Sequence, residues 1–407
     1  MKRNYYIVAL IMLIFFVISF LTNVIGPLIP DIIKGFNLSL TLVALLPFAF
    51  FIAYGVMSIP SGILIEKYKE KKIVIAAFVV AFIGSLVLAI VPNYLTAVIS
   101  LFLIGCGMAM LQVVINPLLR SSGGEEHYAF NSVLAQLIFG AASFISPLVY
   151  SYMVLQLKSG NASSGLIYSL VPANLPWISL YWLFAFICLV MIVIIAFTKF
   201  PVVELKQDEE VGPIKTYLML FKKPVVILFF IAMICYVGTE QGIANWISQF
   251  LQTYHGYNPQ TTGAQNVAYF WGLMTAGGVV GLFLLKVMDS LKVLIGFTVL
   301  ALVCLSAALF GSAKMSLIAF PLVGFFASVM YPVIFSLALN SVDEHHGSFA
   351  GIIVTGIIGG AIVPLIIGWL GDLLGLRMGM LFLYITLGYI LSVGFWAKPL
   401  ITNKTIL

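Results

Sequence analysis

Apolar residues in this chain do not alternate with polar ones. They come in unbroken runs rich in Phe and Leu, set apart by short charged or polar stretches. Runs of about 20–25 residues are the length a helix needs to cross the hydrocarbon core of a bilayer. No water reaches that core, so each segment must satisfy its own backbone, which makes the runs helices. Strands of a membrane barrel would show a period of two, and these runs lack it. Twelve spans are expected, near residues 5–29, 41–64, 73–92, 95–119, 131–155, 177–198, 224–250, 262–286, 293–311, 315–340, 350–371 and 378–398. The first is read as a span and not as a cleaved leader. Its apolar run is too long, and no small-x-small site precedes Pro27.

Composition agrees. Of 407 residues, 62% are hydrophobic and 8% are charged, and mean hydropathy is +1.15. No soluble fold hides that much apolar surface, so the class is all-α integral membrane. The net charge of +6 is a topology signal and not a nucleic-acid footprint. With the N-terminus inside, Lys34, Lys158, Lys314 and Arg377 fall outside, and the other sixteen of the 20 Lys and Arg fall inside. That bias places both termini in the cytoplasm. The most charged stretch, 201–222, reads as a cytoplasmic linker between a six-helix bundle at 1–200 and another at 223–407. A faint repeat, Gly62 to Lys67 against Gly281 to Lys286, fits two related halves with a site between them at the midplane. Asn161 in the external loop 156–176 matches a glycosylation pattern, a weak signal when alone. Cys106, Cys188, Cys235 and Cys304 all lie in spans, with no pairing or metal spacing.

One acid departs from this pattern. Of 14 acidic residues, thirteen fall in loops or near helix ends. Glu240 alone falls near mid-membrane, in the run Thr239-Glu240-Gln241-Gly242-Ile243-Ala244-Asn245-Trp246. A charged acid at a helix centre costs roughly 2.5–3.5 kcal/mol on insertion scales. Glu240 therefore lines a water-filled path, binds an ion or carries a proton, or else it is a protonated carboxyl bonded to a facing helix. Its neighbours suit a neutral polyol better than a metal. Gln112 and Asn116 are four apart and share a helical face, as do Gln241 and Asn245. Gln136 and Asn23 add further polar groups, and Trp246, Tyr269 and Tyr331 add aromatic ones. Amides donate to and accept from vicinal hydroxyls, while ring faces stack on C–H surfaces, so the set suits a sugar. The alternative for any one amide is interhelical bonding. His127, His255, His345 and His346 are expected in loops, which argues against a histidine relay. Glu125 and Glu126 precede a helix and complement its dipole. Gly238 and Gly242 bracket Glu240, either to let the helix bend or to let it pack closely, and Gly356, Gly359 and Gly360 suit close packing.

Two sets of residues carry a family resemblance. The loop Gly62-Ile63-Leu64-Ile65-Glu66-Lys67-Tyr68-Lys69-Glu70-Lys71-Lys72 resembles the Gly-x-Leu-x-Asp-Arg-x-Gly-Arg-Arg motif of the major facilitator superfamily, with Glu for Asp, Lys for Arg and the second Gly missing. By that resemblance Glu66 and Lys67 latch the outward-open state; the plain alternative is a basic loop that sets orientation. The runs Ile115-Asn116-Pro117-Leu118, Leu134-Ala135-Gln136, Met330 to Leu337 and Thr355 to Val363 resemble the fucose–galactose–glucose:proton symporter family. Gly123 to His127 and Thr239 to Gly242 are closer to its glucose/galactose branch. The resemblance covers nearly the whole chain. It implies a monomer of twelve helices in the bacterial inner membrane, importing a hexose with H+ and using no other cofactor. There are departures. Where the fucose branch has acids, this chain has Gln112 and Gly26, and Leu282 stands for an expected Arg. Glu240 is the one mid-span carboxyl left to couple, and Na+ held by oxygen ligands is a competing reading.

Other classes fit less well. A membrane enzyme needs a catalytic pair or metal cluster, and one isolated carboxyl does not supply it. There is no phosphate-binding Gly-x-x-x-x-Gly-Lys-Ser/Thr loop for ATP. A multidrug exporter would have an apolar pocket, not an amide-rich one. A sugar sensor would be expected to carry a signalling tail.

Overall fold

The computed structural model describes residues 4–159, 170–200, 214–342 and 344–398, without the side chains at 59, 66, 125, 129, 214, 215 and 346. Asn161, linker residues 201–213 and the side chains of Glu66, Glu125 and His346 therefore lie outside the described residues. Among those described, twelve helices are long and apolar enough to cross a membrane. They are span 1 (Tyr5–Phe36), span 2 (within helix Leu40–Tyr68), span 3 (Glu70–Ile90), span 4 (Tyr94–Gly123), span 5 (Phe130–Lys158) and span 6 (Pro176–Phe197). Span 7 (Pro224–His255), span 8 (Pro259–Val287), span 9 (Ser290–Phe310), span 10 (Ala313–Leu339), span 11 (Gly347–Leu374) and span 12 (Leu376–Trp396) follow. Twelve crossings return both ends of the chain to one side, the terminal face; the opposite side is the far face.

The order of elements matches the hydropathy reading, and the differences lie at helix ends. Span 1 runs on to Phe36, so Asp31 is helical. Span 7 runs on to His255, which was expected in a loop. Span 7 opens on Pro224, where the missing N–H costs nothing, and closes on left-handed Gly256, whose N–H returns to Gln252 O. Within the expected linker, Ile214–Leu220 is a short helix, with Tyr217 against Gly351 at the start of span 11.

Two spans break one turn before a proline. Span 1 is interrupted at Asn23–Val24, and span 10 at Ser328–Val329. Asn23 lies four residues before Pro27, and Ser328 four before Pro332. In each case the proline has no N–H for that carbonyl and its ring crowds it.

Packing follows two six-helix halves. In the first, span 4 contacts spans 2 and 3, span 3 contacts span 6, and span 1 contacts spans 4 and 5. In the second, span 10 contacts spans 8 and 9, span 7 contacts spans 11 and 12, and span 9 contacts span 12. The halves meet through span 1 on span 7, span 2 on span 11 and span 5 on span 8. Small residues permit the closest approaches. A Cβ on Gly26 would lie 2.2 Å from Ala244 O, and one on Gly359 would lie 2.1 Å from Ile234 O.

Candidate functional site

Glu240 sits midway along span 7 and is half-buried. Its carboxyl is held from two sides. The Tyr236 hydroxyl, one turn back, donates to Oε2 at 2.6 Å, and Gln241 Nε2 donates to Oε1 at 3.0 Å. Two donors satisfy much of what a carboxylate loses on leaving water. The break in span 10 brings Tyr331 to this point. Its ring lies 5.7 Å from that of Tyr236 and stacks on Phe335 at 6.0 Å. On the other side, the buried Gln241 side chain passes Gly360 of span 11, beside Phe51 of span 2 in the first half. Glu240, Gln241 and Tyr331 are therefore brought together, on the second half and next to the seam between halves.

Tyr236 is the residue the sequence reading passed over. Its position four residues before Glu240 in one helix was the available signal.

Three more of the expected amides lie in the first half, Gln112 and Asn116 on span 4 and Gln136 on span 5. Asn116 and Gln136 are exposed, Gln112 is half-buried, and none of the three makes a hydrogen bond to the described residues. Asn245, one turn past Gln241, is buried beneath Gly26, and its Nδ2 has no partner among the described residues.

Of three other expected site residues, Asn23 and Trp246 are bonded to neighbouring helices and Tyr269 lies at a seam between the halves. Asn23 Nδ2 donates to Ser143 Oγ at 2.8 Å and Ser19 Oγ at 3.4 Å. This network joins spans 1 and 5 at the carbonyl freed by Pro27, so Asn23 is an interhelical bond. Trp246 is fully buried, with Nε1 donating to Pro364 O at 3.3 Å, so its indole N–H is taken up by span 11. Tyr269 is half-exposed, with its ring 6.4 Å from that of Phe144 across the span 5–span 8 contact.

The glycines around Glu240 resolve in favour of packing. A Cβ on Gly238 would meet Val363 at 2.2 Å, and one on Gly242 would meet Ile367 at 3.0 Å. Gly26 explains one departure from the fucose branch. Span 1 lies so close to Ala244 that no side chain fits there in this conformation. Lys67, half of the expected latch, is exposed, with Nζ 5.1 Å above the neighbouring Tyr68 ring.

Comparison with known proteins adds the lineage. The sequence profile of the Major Facilitator Superfamily matches residues 11–364. The chain belongs to the Major Facilitator Superfamily. As a member of it, the protein is a multi-pass membrane transporter and not an enzyme. It is 29% identical over 402 residues to the glucose/galactose transporter of Brucella abortus, covering 97% of this chain and 94% of that one. It is 27% identical over 396 residues to the L-fucose-proton symporter of Escherichia coli, covering 92% and 89%. A crystal structure of the E. coli fucose:proton symporter superposes with a TM-score of 0.66 at 22% identity, covering 96% and 98%. These names agree with the symporter resemblance carried by Asn116-Pro117, Gln136 and the span 10 and span 11 runs.

Proposed function

We propose that this transporter imports a neutral hexose of the glucose/galactose type by alternating access, coupled to H+ through Glu240. The observation that carries the reading is the Glu240 carboxyl at mid-span, held by Tyr236 and Gln241 next to the seam between the halves. Near full-length similarity to a protein named as a glucose/galactose transporter supports the substrate class. Similarity to a protein named as a proton symporter supports the ion.

In this reading the terminal face is cytoplasmic, following the Lys and Arg bias, and the membrane is the bacterial inner membrane. Residues 1–200 and 223–407 rock against each other, with 201–222 as their tether. Glu240 takes a proton while the site faces outside. The neutral acid is far cheaper to occlude than its anion, and it offers an O–H to a sugar hydroxyl. Once the site faces the cytoplasm, water returns, the carboxyl ionises and sugar and proton leave. Gln112, Asn116 and Gln136 supply donors and acceptors from the first half.

Counterflow tests the substrate. Proteoliposomes loaded with unlabelled D-glucose should accumulate labelled glucose or galactose transiently from outside, with fucose exchanging less well. No signal for any hexose from folded protein would move the exporter reading to the front.

A further inference from the structure

Among the described residues, polar contacts join the halves in two separate clamps at the far face. In the first, Asp372 of span 11 reaches across to the start of span 2. Its carboxylate accepts Leu40 N at 2.8 Å, Thr41 N at 2.8 Å and the Thr41 hydroxyl. The opening N–H groups of a helix have no partner within it. Span 2 caps the third with its own Ser39, which accepts from Leu42 N, and leaves the first two to the other half of the molecule. The helix dipole adds to this attraction. A Cβ on Gly368 would lie 2.6 Å from Leu40 O, so the two helices touch at the clamp.

The second clamp is centred on Gln260, buried in a wide helical turn at the start of span 8. Gln260 Nε2 donates to both Asp31 oxygens, at 2.8 and 3.0 Å, and its Oε1 accepts from Lys158 Nζ at 2.7 Å. Tyr150, fully buried, donates to Asp31 Oδ2 at 2.6 Å. Asp31, Tyr150 and Lys158 belong to the first half and Gln260 to the second. One amide thus bridges an acid and a base that need not touch each other.

We propose that these clamps are a latch that holds the far face shut and must release for that face to open. The proposal rests on the alternating-access reading above. Neither clamp lies at the Glu240 site, and both join parts that a rocking motion separates. On release each group meets water, which takes over its hydrogen bonds, so the latch biases the equilibrium without blocking it.

The test reads distances in the full-length protein in lipid nanodiscs with no sugar present. The native cysteines are replaced by Ala. Spin labels sit at Lys34→Cys and Gln252→Cys on the far face, and in a second sample at Lys72→Cys and Lys292→Cys on the terminal face. Otherwise unaltered protein should show a short far-face distance. Gln260→Ala and Asp372→Asn should each raise the ratio of long to short far-face distances roughly tenfold, the effect of losing hydrogen bonds to a charged group. The terminal-face pair should shorten in step. Distributions unchanged in both variants, with thermal unfolding showing both folded, would overturn the latch. The two variants sit on different helices, so either decides alone if the other misfolds, and Thr41→Val is a milder third that should shift the ratio two- to threefold. A failed sugar assay leaves this result standing, and unchanged distances leave the sugar reading standing.

Discussion

The hydroxyl of Tyr236 and the amide of Gln241 divide the oxygens of Glu240 between them, so each can be removed separately. Tyr236→Phe keeps the ring against Tyr331 and deletes one donor to the carboxyl. It should slow gradient-driven uptake about tenfold at unchanged membrane abundance, as expected for a bond to a charged group. Initial uptake rates normalised to quantified protein check this. Trp246 should behave differently, because it is a packing residue. Trp246→Ala should lower stability by about 3–5 kcal/mol, seen as a fall in unfolding temperature, while sugar affinity in the folded fraction is kept. Sequence placed Glu240 and Gln241 correctly on one stretch of helix, and their chemistry drew attention without any structure. It could not separate Asn23 and Trp246 from them. A polar or aromatic residue in an apolar span looks the same whether it fronts a cavity or a neighbouring helix, and only the packing partner, Ser143 or Pro364, decides.

Spans 7 and 11 carry glycines on their facing sides, and the two contacts differ in kind. The Gly359 position abuts a backbone oxygen, Ile234 O, which cannot move aside, whereas Gly238 abuts the Val363 side chain, which can change rotamer. Gly359→Ala should therefore destabilise by more than Gly238→Ala, within the range of about 1–3 kcal/mol typical of overpacking. Thermal unfolding of the purified variants in one detergent ranks them. Most of the helix pattern was legible because hydropathy over some twenty residues is a strong signal. Chain ends of helices were less so. Asp31 is helical because a membrane helix can continue past the apolar core into water, where hydropathy no longer marks its end. The breaks in spans 1 and 10 lie four residues before Pro27 and Pro332, but Pro47, Pro117 and Pro147 lie inside unbroken helices, so proline alone did not mark the breaks in the sequence.

The halves of the molecule are joined at the far face, where Asp372 caps span 2 and Gln260 bridges Asp31 and Lys158, and again nearer the middle, where Gly26 meets Ala244. Nothing in local sequence announces these contacts. Asp31 and Gln260 are 229 positions apart, and each alone reads as an ordinary polar residue at a helix end. The amides of the first half give a sided test of the arrangement. Asn116→Cys and Gln136→Cys should react with a membrane-impermeant thiol reagent from the terminal face and be protected from the far face. Equal reaction from both sides would contradict a closed far face. If a hexose and a proton share the Glu240 site, two modes of transport in one preparation separate binding from coupling. Proteoliposomes containing the unaltered protein or Glu240→Gln are assayed for hexose counterflow and for accumulation driven by an inward proton gradient. The unaltered protein should show both activities, and Glu240→Gln should show counterflow without accumulation. Uphill accumulation that survives in Glu240→Gln would contradict this and remove Glu240 from coupling.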